Sequence, residues 1–123
     1  HKLDKGIDSG DILFESRFEI PKDCWVDDLY ALTYQKSLTL FQDSLSKIIN
    51  MDYELTPQLN LQKSRGSSLH YRNEINKLKR IDLSWDTDKI NRYIRATSMN
   101  GFEPPFTVIG GKKIFFKKEH FND

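Results

Sequence analysis

The stretch that most constrains this chain is Asp4-Lys5-Gly6-Ile7-Asp8-Ser9-Gly10-Asp11-Ile12-Leu13. It gathers three acids and two glycines and then turns into a β-prone run. Glycines at positions 6 and 10 suit points where the backbone takes a positive φ or comes close to another segment. Asp8 and Ser9 between them are turn formers whose side chains can bond the local backbone. From Ile12 the pattern alternates: Ile12, Phe14, Phe18 and Ile20 share one face, while Glu15, Arg17 and Glu19 share the other. That period predicts a strand with one buried face. A tight acidic loop at the root of a strand can aim a side chain. Taken alone, such a turn is far more readily plain solvated structure than a site.

A length of 123 residues bounds the chain to one domain or part of one. Nineteen Lys and Arg against 18 Asp and Glu leave a net charge of +1, which gives no general argument for nucleic acid or an anionic membrane. No apolar run approaches the ~20 residues of a membrane span, so no membrane partner is expected. The start carries no signal-peptide pattern. A single cysteine, Cys24, cannot close an internal disulfide, so a reducing compartment, the cytoplasm, is the expected location. The chain opens at His1 inside a loop-to-strand transition, and a lone strand needs neighbours. The expectation is the C-terminal part of something larger.

Pro21 ends the first strand and Asp23 is a candidate N-cap. A long helix is predicted from about Trp25 to Ile49, its apolar stripe running through Trp25, Leu29, Leu32, Leu38, Phe41, Leu45, Ile48 and Ile49. That stripe is expected to cover the sheet holding the first strand. Residues 51–70 read as a linker or excursion loop, with Pro57 and the Ser64-Arg65-Gly66-Ser67-Ser68 run; Lys63 and Arg65 there are solvated charges or a grip for an anionic substrate. Tyr71 to Arg80 reads as a short helix, Ile81 to Trp85 as briefly extended, and Ser84 or Asp86 as the cap of a helix reaching Thr97. Gly101 and Pro104-Pro105 stop it. Phe106–Ile109 and Lys112–Phe116 around Gly110-Gly111 read as a β-hairpin. The polar tail from Lys117 to Asp123 is expected to fray.

Spacing points to no metal site: His1, His70 and His120 are far apart in sequence and none has ligand spacing with Cys24. Cys24 reads as a packed thiol, and no glycine-rich phosphate loop is present.

The Asp4–Leu13 segment resembles the Asp-x-Gly-[Ile/Leu]-Asp-[Thr/Ser]-Gly-Asp-Ile-[Leu/Ile] segment of the folate-dependent formyltransferases. The order that follows is also similar: alternating strand, long helix, Ile81-Asp82-Leu83-Ser84-Trp85, Ile94-Arg95-Ala96, then Gly101-Phe102-Glu103-Pro104-Pro105-Phe106 into a strand. Leu83 stands where the family usually has Trp, with Trp85 two residues on.

The resemblance implies an α/β fold: the C-terminal portion of a formyltransferase-type Rossmann-like domain (strand plus long helix), then short helices and a β-hairpin. Residues 1–50 would be the C-terminal part of the catalytic domain, 51–70 the linker, and 71–123 a small C-terminal segment. It implies transfer of a formyl group from N10-formyltetrahydrofolate to an amine. Asp8 matches the family carboxylate that sits beside a catalytic His; a carboxylate there favours the imidazolium and orients it, making it a better acid. Asp4, Lys5, Gly6, Ile7 and Asp8 would line the folate site. The family's upstream Asn-x-His-Pro-type motif is absent from these residues, so the chain alone is expected to be inactive. A short tail and the Gly-Phe-x-Pro-Pro-Phe turn favour a nucleotide-linked amino sugar as acceptor over tRNA, although Lys112, Lys113, Lys117 and Lys118 form a small basic cluster. A homodimer is expected. The other reading is an inactive remnant serving only as an interaction module.

Overall fold

In a computed structural model of the chain, residues 1–121 are described, without the side chain of Lys63. The elements are α1 (Val26–Ile49), α2 (Gln58–Arg65), a 3₁₀ turn (Arg72–Glu74) leading into α3 (Ile75–Leu78), α4 (Thr87–Thr97), β1 (Phe106–Ile109), β2 (Lys112–Phe115) and a closing 3₁₀ turn (Lys118–Phe121). The fold is α/β, with one antiparallel hairpin as the only ladder among the described residues. Contacts divide the chain into two compact units. One joins His1–Glu19 to Thr33–Leu69, and the other joins Ile20–Leu32 to the residues from His70 onward.

The first unit departs from expectation at its start. Residues 12–20 form no ladder strand; their one pairing is an antiparallel bridge of Ile12 with Thr56, closed by two 2.9 Å bonds. The alternation is present, but no second strand lies beside it among the described residues. The α1 stripe departs as well. Leu38, Phe41, Leu45 and Ile49 are exposed, and among the described residues no sheet lies beside them. The residues α1 turns to Leu13 and Phe14 are Ser37, Leu40, Phe41, Ser44 and Ile48, with Ser44 buried.

Helix α1 itself follows from its sequence. Asp27 and Asp28 occupy its first turn and Lys47 its last, matching the helix dipole. It closes with Met51 in the left-handed region (φ 57°), while Asp52 N–H donates to the Lys47 carbonyl at 2.9 Å. This is the usual glycine-type ending made without glycine. The stretch expected as an excursion loop contains α2. Pro57 stands at its N-cap with φ −60° and ψ 128°, and Gln, Leu and Lys behind it are good helix formers. Gly66 (φ 73°) ends it.

In the second unit the core is Ile81, Ile94 and Pro105, all fully buried. Asp86, not Ser84, caps α4: its Oδ1 accepts Lys89 N–H at 2.8 Å. Ser84 N–H is instead bound by Asp82 at 2.9 Å. The hairpin register pairs Phe106 with Phe115 and Ile109 with Lys112. Gly110 (φ 57°) and Gly111 (φ 76°) make the turn, whose two positive φ values match the twist of the flanking strands. A parallel bridge joins Arg80 to Phe106, and Ile81 N–H donates to the Phe106 carbonyl at 2.8 Å, so the hairpin gains a third short partner. The tail through Phe121 does not fray as expected. Phe121 packs edge-on to Trp25 at 5.9 Å, and Lys118 pairs with Asp28 at 3.0 Å. The rest of the expected tail, residues 122–123, lies outside the described residues.

Candidate functional site

The acidic loop folds back on itself. Lys2 N–H donates to the Asp11 carbonyl at 2.9 Å, so residues 2 and 11 close the turn. Neither Gly6 nor Gly10 takes a positive φ; Asp8 does, at 49°, a left-handed conformation that Asp tolerates better than most residues. Gly10 serves the other purpose expected of it. It is buried, and a Cβ there would collide with the Lys2 carbonyl. Gln58, on the first turn of α2, donates from Nε2 to the Gly10 carbonyl at 2.7 Å and ties the loop to that helix.

Within the loop, Asp4 is engaged internally: Oδ1 accepts Lys5 N–H at 2.6 Å and Oδ2 accepts the Ser9 hydroxyl at 3.4 Å. Lys5, Gly6 and Ile7 form the exposed rim. Ile7 is 92% exposed, and the N–H and C=O groups of Gly6 and Ile7 make no hydrogen bond among the described residues. The Asp8 side chain is 84% exposed, and its Oδ1 lies 3.6 Å from His1 Nε2. The other ring nitrogen of His1 is 2.9 Å from the Lys2 carbonyl, so with a proton there the ring is oriented from both sides.

His1 is the residue that spacing arguments passed over, because they tested it only as a metal ligand. Its seven-residue offset from Asp8 has meaning only once the Lys2–Asp11 closure is known. His1 and Asp8 line an open cleft of about 340 Å³ with Ile12, Phe14, Glu15 and Gln58. On the cleft wall Glu15 takes both guanidinium nitrogens of Arg65 and, at 2.8 Å, Arg17 Nε. Arg65 first, then Arg17, hold the Glu15 carboxyl below its ordinary value. Arg65 is therefore committed to an internal partner, and the Lys63 side chain lies outside the described residues.

The other expected features are in the second unit. Lys113 pairs with Glu103 at 2.8 Å, Lys117 with Glu119 at 3.4 Å and Lys118 with Asp28 at 3.0 Å. Cys24 is half-buried and free, its thiol 3.4 Å from the Trp25 carbonyl. Among the described residues no cluster of His, Cys, Asp and Glu could hold a metal, and no helix is long and apolar enough to cross a membrane.

No family model matches the sequence, and no curated protein matches it. Solved structures do. WlaRD, a sugar 3-N-formyltransferase solved in the presence of dTDP and 5-N-formyl-THF, is 28% identical with a TM-score of 0.74, covering 93% of this chain and 39% of its own. The N-formyltransferase of Helicobacter canadensis, solved with folinic acid and dTDP-3-aminofucose, is 28% identical with a TM-score of 0.72, over 91% of this chain and 39% of its own. A 4-N formyltransferase from Francisella tularensis shares the fold at 21% identity, TM-score 0.78, over 94% of this chain and 47% of its own. The chain thus spans about two fifths to one half of the length of these enzymes. Over that length the resemblance to formyltransferases read from the sequence holds in three dimensions.

Proposed function

We propose that these residues are the C-terminal part of a sugar N-formyltransferase, which moves a formyl group from N10-formyltetrahydrofolate to the amine of a nucleotide-linked amino sugar. The observation that carries the reading is the Asp4–Asp11 turn. It holds Asp8 in a left-handed geometry on the rim of a cleft. Two of the structures sharing this fold at 28% identity were solved with formylated folates and dTDP or a dTDP-amino sugar.

N10-formyltetrahydrofolate would supply the formyl group. The rim fits such a co-substrate, since Gly6 and Ile7 leave backbone donors and acceptors unpaired and Ile7 offers apolar surface. Asp4, held by Lys5 N–H and the Ser9 hydroxyl, would keep the rim in shape. Asp8 would orient and favour the protonated form of an imidazole, whose proton would go to the folate nitrogen as its bond to the formyl carbon breaks, while the sugar amine that binds that carbon gives up a proton. Residues 1–50 would belong to a Rossmann-like catalytic domain, 51–70 to its connection, and 71–123 to a C-terminal segment through which two copies pair. Three of the four lysines of the terminal cluster already face carboxylates, which supports a sugar acceptor over tRNA.

The test is formyl transfer from N10-formyltetrahydrofolate to dTDP-amino sugars by the polypeptide that joins this chain to an Asn-x-His-Pro-type half. Asp8→Asn is expected to lower kcat by about 100-fold or more while folinic acid still binds. Near-normal turnover in that variant would overturn the role of Asp8. Absence of transfer to any amino sugar by the unsubstituted protein would overturn the activity.

A further inference from the structure

The arm that carries the acidic turn is gripped by the segment expected as an excursion loop. Ile12 N–H donates to the Thr56 carbonyl and Thr56 N–H to the Ile12 carbonyl, both at 2.9 Å. Just beyond, the Gln58 carboxamide donates from Nε2 to the Gly10 carbonyl at 2.7 Å. A backbone carbonyl only accepts, so the nitrogen end of the amide must face it. At the other end of α2, both terminal nitrogens of Arg65 donate to the Glu15 carboxylate. Helix α2 is thus fastened at both ends to the arm that runs from Gly10 to Glu15. Of these contacts only the Gln58 bond reaches the turn itself, two residues from Asp8. There is no slack at that point, since the Lys2 carbonyl lies where a Gly10 Cβ would be. Asp8, at φ 49°, sits in a region that costs a residue with a side chain free energy, which the closed turn must supply. Gln58 and Asp8 line the same cleft.

We propose that Gln58 is a positioning residue for Asp8: its amide holds the Gly10 carbonyl, and through it the turn that keeps the Asp8 carboxylate at the cleft. Its catalytic consequence rests on the formyltransferase reading, and its structural consequence on the geometry of the turn alone. One neutral hydrogen bond contributes modestly to stability, so its loss loosens the turn without unfolding the unit.

The experiment has two arms. In the isotopically labelled 123-residue chain, the positive φ of Asp8 brings its amide and α protons close and gives a strong Overhauser effect between them. Gln58→Met keeps a straight side chain of good helix propensity and removes the donor. It is expected to weaken that effect and to shift the amide signals from Asp8 to Asp11. Gln62→Met, the same change at an exposed position of α2, is expected to move neither. In the polypeptide that joins this chain to an Asn-x-His-Pro-type half, Gln58→Met is expected to lower kcat about tenfold or more, with the KM for the amino sugar unchanged. Gln58→Lys, which restores a nitrogen donor, is expected to recover part of both losses. Unmoved turn signals or an unmoved kcat in Gln58→Met would overturn the role, and so would equal losses in Gln62→Met. The turn is read without any transfer. An unsubstituted polypeptide that moves no formyl group would therefore overturn the activity, while the hold of Gln58 on Asp8 still stands or falls on the Asp8 signals.

Discussion

Asp8 and Gly10 divide between them the work expected of two glycines. Asp8 takes the positive φ, so its carboxylate leaves the backbone in a direction an extended residue could not give it. Gly10 takes the close approach, with the Lys2 carbonyl where its Cβ would be. Gly10→Ala must therefore separate the two arms of the turn. A cost of about 1–3 kcal/mol is expected, read as a lower urea midpoint and as shifted amide signals from Lys2 to Asp11. Gly66→Ala provides the contrast. Nothing lies within 4 Å of a Cβ there, and only its φ of 73° opposes the change; the expected loss is about 1 kcal/mol, without effect on the turn. Glu15 carries the pH dependence of the same unit. Its folded-state pKa is lowered by Arg65 and then Arg17, so the fold favours the ionised form. That contribution is complete above the ordinary value of 4.5 and is lost as pH falls through the lowered value. Carbon-detected titration of the Glu15 carboxyl is expected to show a midpoint below 4.5 that moves back up in Arg65→Gln. An unmoved midpoint would mean the pair is not formed in solution.

Elements built from local signals follow the sequence closely, and α4 is the clearest. An extended Asp86 (ψ 154°) binds Lys89 N–H, Ile90, Tyr93 and Ile94 recur at helical steps, and Ile94 is 1% exposed at the core. Asp86→Ala removes one bond and leaves a helix N–H orphaned, an expected loss of about 1 kcal/mol. Ser84→Ala is expected to cost less, since the variant keeps the backbone N–H that Asp82 accepts and loses only the side-chain bond to Asp82. Thermal unfolding of the two variants distinguishes the cap from its neighbour. The hairpin was legible for a similar reason, because Gly110-Gly111 dictates a turn whatever lies around it. The α2 helix was not legible. Pro57 and the following polar residues suggest a loop when read for periodicity, and the bond by which Gln58 ties the helix to the Gly10 carbonyl reaches 48 residues away. The first strand failed in the opposite sense. Its alternation is genuine, but a strand exists only with a partner, and pairing is not a local property.

At the scale of the whole chain, the site was half legible. The motif led to Asp8, but His1 became its neighbour only through the fold-back that joins Lys2 to Asp11. The apolar pattern of α1 is the stripe expected, and within these residues much of it faces solvent. Tyr34, Leu38, Phe41, Leu45 and Ile49 recur every three or four residues and are 68%, 49%, 56%, 41% and 71% exposed. Singly exposed apolar residues are ordinary, but a contiguous row of five is not. The second unit, by contrast, has Ile81 and Ile94 as its fully buried aliphatic side chains. A chain with so much apolar surface in water and so little inside is expected to bind the dye ANS and to sediment as mixed oligomers. The double change Leu38→Lys with Leu45→Lys should abolish much of the dye signal and give a single monomeric species, since both positions face solvent and neither lines the pocket beside Leu13 and Phe14. The helix content by circular dichroism should stay constant, because Lys and Leu have similar helix propensity. A loss of helix on substitution would mean that the row is packed in solution. An unchanged oligomer distribution would mean that self-association runs through another surface.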